Sequence, residues 1–219
     1  MRGMSKMLAF LKELRENNDR LWFAERKDYY NAVRAECIDE IELILRRASA
    51  FDPDLRGVAA TDCIYRIYRD IRFSADKRPL KEHFGIVMAR GGRRNPNALY
   101  YLHIQPGCSG LYVGVHLPEP ANLKKLRIDI DAGIEEFDEI MSAPEFSAVF
   151  PGLVGESLKS MPKGFAKDLP HAEVLKMKEF LVMTPLDDEF FADDSWLDTV
   201  VGYMELAKPF KDFLNYSLE

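Results

Sequence analysis

Apolar positions in the first fifty residues recur at helical spacing. Met4, Met7, Leu8, Leu11 and Leu14 mark one face of a helix that Asn17-Asn18 can end. Asp19 can cap a second helix, whose stripe is Trp22, Tyr29, Val33, Cys37, Ile41, Ile44 and Leu45. Trp22 and Phe23 read as core. Phe51-Asp52-Pro53 and Gly57 should stop this helix after about Ala48. In Cys63 to Ser74, the positions Ile64, Ile67, Tyr68 and Ile71 lean to a short helix, although β-branched and aromatic content also permits a strand.

The period then changes to two. Phe84, Ile86 and Met88 alternate, and Leu99–Gln105 and Leu111–His116 flank the turn-rich Pro106-Gly107-Cys108-Ser109-Gly110. These segments predict an antiparallel meander. Pro118-Glu119-Pro120 opens a long helix with the stripe Leu123, Leu126, Ile130, Ile134, Phe137 and Met141 and an Arg127–Asp131 pair. A short helix after Pro144, a turn at Pro162-Lys163-Gly164-Phe165, a helix over 171–177 and a strand over 180–184 follow. Beyond the acidic loop 186–194, Trp196, Val200, Tyr203, Ala207, Phe210 and Leu214 predict a last helix, bent at Pro209. The expected fold is α+β. One domain over 1–219 carries an antiparallel sheet from about 84–116 plus 180–184, with helices from both ends packed on it.

Composition agrees with a globular chain: 219 residues, 47% hydrophobic and 30% charged. No apolar run is long enough for a membrane helix, and the first ten residues lack the apolar stretch of a secretory signal. Cys37, Cys63 and Cys108 form no Cys-x-x-Cys pair, so neither a disulfide scaffold nor a cysteine zinc site is expected, and a reducing cytoplasm fits.

Charge changes the picture more. Between Arg66 and Arg94, nine basic side chains face only Asp70, Asp76 and Glu82, a local excess of +6 on a chain of net charge -6. A basic segment on an acidic body suits one compact anion better than extended nucleic acid, whose binding grows with each phosphate neutralised. Within it, Arg66, Arg69, Arg72, Ser74 and Lys81 are candidate anion ligands, because guanidinium forks match phosphate and carboxylate geometry. Asp70, Asp76 and Lys77 are the candidate catalytic groups, as base or metal ligand and as oxyanion contact. An equally simple expectation makes the run a paired network, with Asp70 buried among its arginines.

The run Arg-x-x-Arg-Asp-x-Arg-Phe-Ser-x-Asp-Lys-x-Pro-x-Lys at Arg66–Lys81 resembles the signature of a bacterial and fungal family of conserved hypothetical proteins, domain of unknown function 2461. Phe10-Leu11-x-x-Leu14, Asn17-Asn18, Trp22-Phe23, Lys27-x-x-Tyr30, Tyr100-Tyr101, Arg127 and Pro162-Lys163-Gly164-Phe165 also match it. Leu80 departs from it, where the family often has an aromatic residue. The resemblance implies that the Arg66–Lys81 run matters and brings no reaction with it.

Other signals are weak. His83, His103, His116 and His171 show no zinc spacing; a five-residue hairpin loop sets His103 and His116 on opposite faces, and a shorter loop would reverse that. No nucleophile elbow, Walker loop or dinucleotide fingerprint occurs. The acidic 187–194 segment reads as a solvated face. The sequence thus points to a small phosphate- or carboxylate-bearing ligand and, if a substrate is turned over, to phosphoryl or phosphodiester chemistry. The competing expectation is a non-enzymatic domain that docks its basic segment on an acidic partner. No membrane role is expected, no set of metal ligands is assigned, and metal dependence, cofactor and oligomeric state are left open.

Overall fold

The structure, a computed structural model, describes residues 2–218. Helix α1 (Gly3–Glu16) buries the expected Met4, Met7, Leu8, Leu11 and Leu14. Asp19 accepts from the Leu21 and Trp22 amides and so caps α2 (Arg20–Glu25). The chain breaks at Arg26 and restarts as α3 (Lys27–Ala48), so the single helix read from the stripe is two. The break re-phases the face: Tyr30 is buried, whereas Tyr29 is 49% exposed.

After α4 (Ala60–Cys63) the helix expected over Cys63–Ser74 does not form. That segment is extended, with antiparallel bridges Ile64–Ile86 and Tyr68–Leu80. Ile, Tyr and Phe sit as well on a pleated surface as on a helix, and strand partners decide the matter.

The meander is as expected: β1 (Phe84–Met88), β2 (Leu99–Ile104) and β3 (Ser109–Val115). The long helix is α5 (Pro120–Ala132) and α6 (Ile134–Ser142), separated at Gly133, and α7 (Pro144–Val149) follows. The Arg127–Asp131 pair does not form. Arg127 donates through Nη2 to the Met177 carbonyl at 2.7 Å, and Asp131 pairs with His171 Nε2 at 2.6 Å. Then come β4 (Leu153–Val154), α8 (Ala172–Leu175), β5 (Phe180–Leu186) and α9 (Trp196–Tyr216), which contains Pro209. The strands make an open antiparallel sheet in the order β1-β2-β3-β5-β4. The two-residue β4 is too short to leave a signal in the sequence.

The chain divides into two compact units. One comprises Met1–Arg94, Tyr101–Leu111 and Pro185–Gly202; the other comprises Asn95–Tyr100, Tyr112–Thr184 and Tyr203–Glu219. In the first, α1 packs on α3. A Cβ on Gly3 would lie 2.8 Å from the Glu36 carbonyl carbon, so this close approach needs glycine. The buried Glu40 of α3 accepts from the Gly3 and Met4 amides at 3.0 and 2.9 Å and caps α1 from a neighbouring helix. The Phe10 ring lies 5.3 Å from Tyr30 and 6.3 Å from Phe23. In the second unit, Phe210 lies 6.1 Å from Phe137 and 6.0 Å from Phe146 in an aromatic core. Among the described residues no helix is long and apolar enough to cross a membrane.

Candidate functional site

The basic segment doubles back on itself in the first unit. Arg69 N donates to Pro79 O at 2.9 Å and Lys81 N to Ile67 O at 2.8 Å, which leaves 70–78 as a loop. Asn18 stands in for a missing strand at its base. Its Oδ1 accepts from Leu80 N, and its Nδ2 donates to Leu80 O and Glu82 Oε1, each at 3.1 Å.

Asp76 is the hub of the loop. It accepts from Arg69 Nη1 at 2.5 Å, and from Arg78 through the backbone amide and Nε at 3.0 Å and Nη2 at 2.7 Å. These donors hold its carboxyl far below the usual carboxylate range, Arg78 contributing most. Arg78 also pairs with Glu82, and Arg69 Nη2 reaches Ser74 Oγ at 3.4 Å. Asp70 is exposed, contrary to the expectation of a buried partner for several arginines. It binds only Arg72, through Nε at 2.9 Å and Nη2 at 2.6 Å, and these bonds lower its pKa. The interior position falls to Leu80, which is small enough to be buried where the loop closes. Lys77 Nζ donates to the Ile71 carbonyl at 3.2 Å.

A cavity of about 650 Å³ lies beside this loop, lined by Arg34, Arg66, Lys81, Arg93, Arg94 and the rings of Tyr30, Tyr65 and Tyr68. Among the described residues, no Asp or Glu lines it. Of the candidate ligands, the cavity brings together Arg66 and Lys81. Arg69, Asp70, Arg72, Ser74, Asp76 and Lys77 belong to the loop network and do not line it.

Arg34, Arg66 and Arg94 have neither hydrogen bond nor ion pair with any described residue, and Arg93 is spent on the carbonyls of Thr61, Asp62 and Ile64. Lys81 Nζ stands 4.9 Å from the Tyr65 ring centroid. Burial, and then the positive charge of Arg66, lower its pKa. Burial pushes the Tyr30 phenol up to about 12, so it stays protonated and able to donate. Sequence reasoning missed Arg34 and Tyr30 because they sit on α3, far along the chain from the motif. Tyr65 and Tyr68 could have been found, since they interleave with its arginines. A larger cavity of about 790 Å³ in the second unit is lined by Asp129, Glu136, Glu139 and Asp212 and, among the described residues, by no lysine or arginine, a lining that disfavours an anion.

The half-buried face of β2 carries a polar row that continues to Gln105, one residue past the strand. The Tyr101 hydroxyl lies 2.9 Å from His103 Nδ1, and His103 Nε2 lies 2.9 Å from Gln105 Oε1. The ring of His83 lies against that of His103, centroids 4.7 Å apart and planes tilted by 31°. Burial, then the neighbours His103, Lys81 and Arg69, push the His83 imidazole down to about 4. His116 instead meets Glu179 at 2.6 Å. Among the described residues no cluster of three or more His, Cys, Asp or Glu could hold a metal ion.

A family model described as "Conserved hypothetical protein (DUF2461)" matches residues 6–213. No curated protein and no solved structure matches the chain.

Proposed function

The chain belongs to the DUF2461 family of conserved hypothetical proteins, and we propose from its side chains that it binds a small phosphate- or carboxylate-bearing ligand in the cavity beside the Arg66–Lys81 loop. One observation carries this reading: five cationic side chains line a cavity of about 650 Å³ without a carboxylate, on a chain of net charge -6. Cations with no counter-charge raise one another's free energy, and an entering anion relieves that repulsion. Burial first, and then the neighbouring charge of Arg66, already disfavour the charged form of Lys81. The volume suits a compact ligand. The loop network supports the site by fixing Lys81 at its base, and Asp76 acts there as an arginine clamp. A base for catalysis is not drawn from Asp70 or Asp76, since both carboxylates are already committed to arginines.

Inorganic phosphate or pyrophosphate should raise the melting temperature, because a ligand of the folded state adds stability by mass action. Arg66→Gln/Lys81→Gln should remove the shift, and Arg72→Gln should keep it. A shift that survives the double substitution places the anion elsewhere and ends this reading.

The second reading, docking on an acidic partner, draws on Phe73. It stands 96% exposed on the loop, with the Arg72 guanidinium 5.9 Å from its ring. Exposed apolar rings beside a cation are common anchors of protein contacts. Phe73→Ser would impair such docking and leave the phosphate shift intact.

A further inference from the structure

The cationic cavity has aromatic walls as well as charges. Tyr65 and Tyr68 lie in the extended stretch between α4 and β1, and Tyr30 joins them from α3. The Tyr65 ring is seated against the backbone of Gly85, where a Cβ would lie 3.2 Å from its Cδ2, and Lys81 Nζ stands 4.9 Å from its centroid. The Tyr68 ring meets that of Phe23 with centroids 5.6 Å apart and planes at 80°. Both rings are thus held by their neighbours, yet 37% of Tyr65 and 46% of Tyr68 stay exposed. Apolar area kept in contact with water favours a ligand that covers it.

Tyr30 is different. It lines the cavity and is only 6% exposed, and its hydroxyl has no hydrogen-bond partner among the described residues. Buried polar groups are normally bonded, so an entering acceptor supplies a bond that the protein does not. Arg34 follows one helical turn along α3, on the same face and in the same cavity wall. The charge to be met is large. Arg34, Arg66, Lys81 and Arg94 exceed the roughly two negative charges of a phosphate monoester, and each further phosphate in a chain brings another.

We propose that the cavity binds a nucleoside di- or triphosphate, with its base against the rings of Tyr65 and Tyr68 and its phosphates among Arg34, Arg66, Lys81, Arg94 and the Tyr30 hydroxyl. The proposal rests on the anion reading above and adds to it the base and the further phosphates. An inorganic anion meets the charges and leaves the rings wet; an aromatic carboxylate covers the rings and leaves most of the charge unmet. A nucleoside polyphosphate answers both, in a cavity of about 650 Å³. Guanidinium forks match phosphate oxygens. Stacking on tyrosine accepts any base, because every base has a π-face. The acidic remainder of the chain, which brings the net charge to -6, opposes a long strand and leaves a single nucleotide as the ligand.

The test is isothermal titration calorimetry of the whole protein with ADP, AMP, pyrophosphate and a single-stranded oligonucleotide. ADP should bind about 10-fold more tightly than pyrophosphate, which has the phosphates without the base. It should also bind more tightly than AMP, which has the base and one phosphate fewer. Tyr65→Leu/Tyr68→Leu should weaken ADP by about 10-fold, the scale of one lost base–ring stack, and leave pyrophosphate unchanged. The comparison of ADP with pyrophosphate needs no variant and keeps the test alive if that one does not fold. Arg66→Gln/Lys81→Gln should abolish binding of both. Pyrophosphate or AMP binding as tightly as ADP, or ADP binding unchanged in the leucine variant, overturns the nucleotide assignment and leaves the anion cavity standing. An oligonucleotide that binds more tightly than ADP overturns the choice of a single nucleotide. ADP binding that survives Arg66→Gln/Lys81→Gln places the nucleotide outside the cavity and overturns the proposal. No binding of pyrophosphate or of any nucleotide ends the anion reading and this proposal together.

Discussion

Two aspartates six residues apart in one loop do different work. Asp76 ties Arg69 to Arg78, whereas Asp70 holds only the exposed Arg72. Asp76→Asn should therefore lower the melting temperature measurably more than Asp70→Asn, which should scarcely move it, as befits an exposed pair. The sign with pH follows from the depressed carboxyl of Asp76. Its contribution is fully present above the ordinary aspartate value of 3.8 and is lost as pH falls below it. His83 acts in a higher window. Its folded value is about 4 against an ordinary 6.5, with His103, Lys81, Arg69 and Glu82 around it. Between those values the unfolded chain takes up a proton that the folded chain refuses, so stability falls as pH drops from 6.5 towards 4. Denaturant melts across that window should show the loss, and His83→Phe should flatten it. An unchanged slope in the variant would mean that His83 is not the group responsible.

At the scale of elements, the N-terminus of α1 depends on α3. No residue of α1 itself caps its first turn; the Glu40 carboxylate does so, through two amides. Glu40→Ala should cost about 1–2 kcal/mol, the range for losing a cap whose donors are then left buried. Urea unfolding would measure it, and Glu40→Gln, which keeps an acceptor oxygen, should recover part of the loss. The same dependence explains where the pattern of the sequence misled. The stripe from Trp22 to Leu45 has one apolar face, but a periodicity does not record a break that preserves the face within one residue, as at Arg26. The stretch after Cys63 is extended because Leu80 and Ile86 offer it backbone partners, and those partners lie 12 and 22 residues downstream of Tyr68 and Ile64.

At the scale of the molecule, the chain passes between its two units five times. Neither unit is a continuous piece of sequence, so neither has a terminus-to-terminus segment that could fold first and alone. One calorimetric transition over 1–219 is the expected outcome, and two resolved transitions would count against the single domain read from the sequence. Much of the architecture was legible in the sequence: helices flanking a meander, the hairpin around Pro106–Gly110, the cap at Asp19, and a basic segment of unusual density. Each of these is written in neighbouring residues, through period, turn chemistry or local charge. What only the tertiary structure decided is which of those charges are free. Arg69, Arg72 and Arg78 are as basic in sequence as Arg66, yet they are spent on Asp70 and Asp76, while Arg66 and Lys81 face a cavity completed by Arg34 from α3. Completion of the cavity by Arg34, and the meeting of His83 with His103 on β2, depend on distances between residues far apart along the chain. Local pattern carries no record of those distances; packing of the sheet and helices sets them.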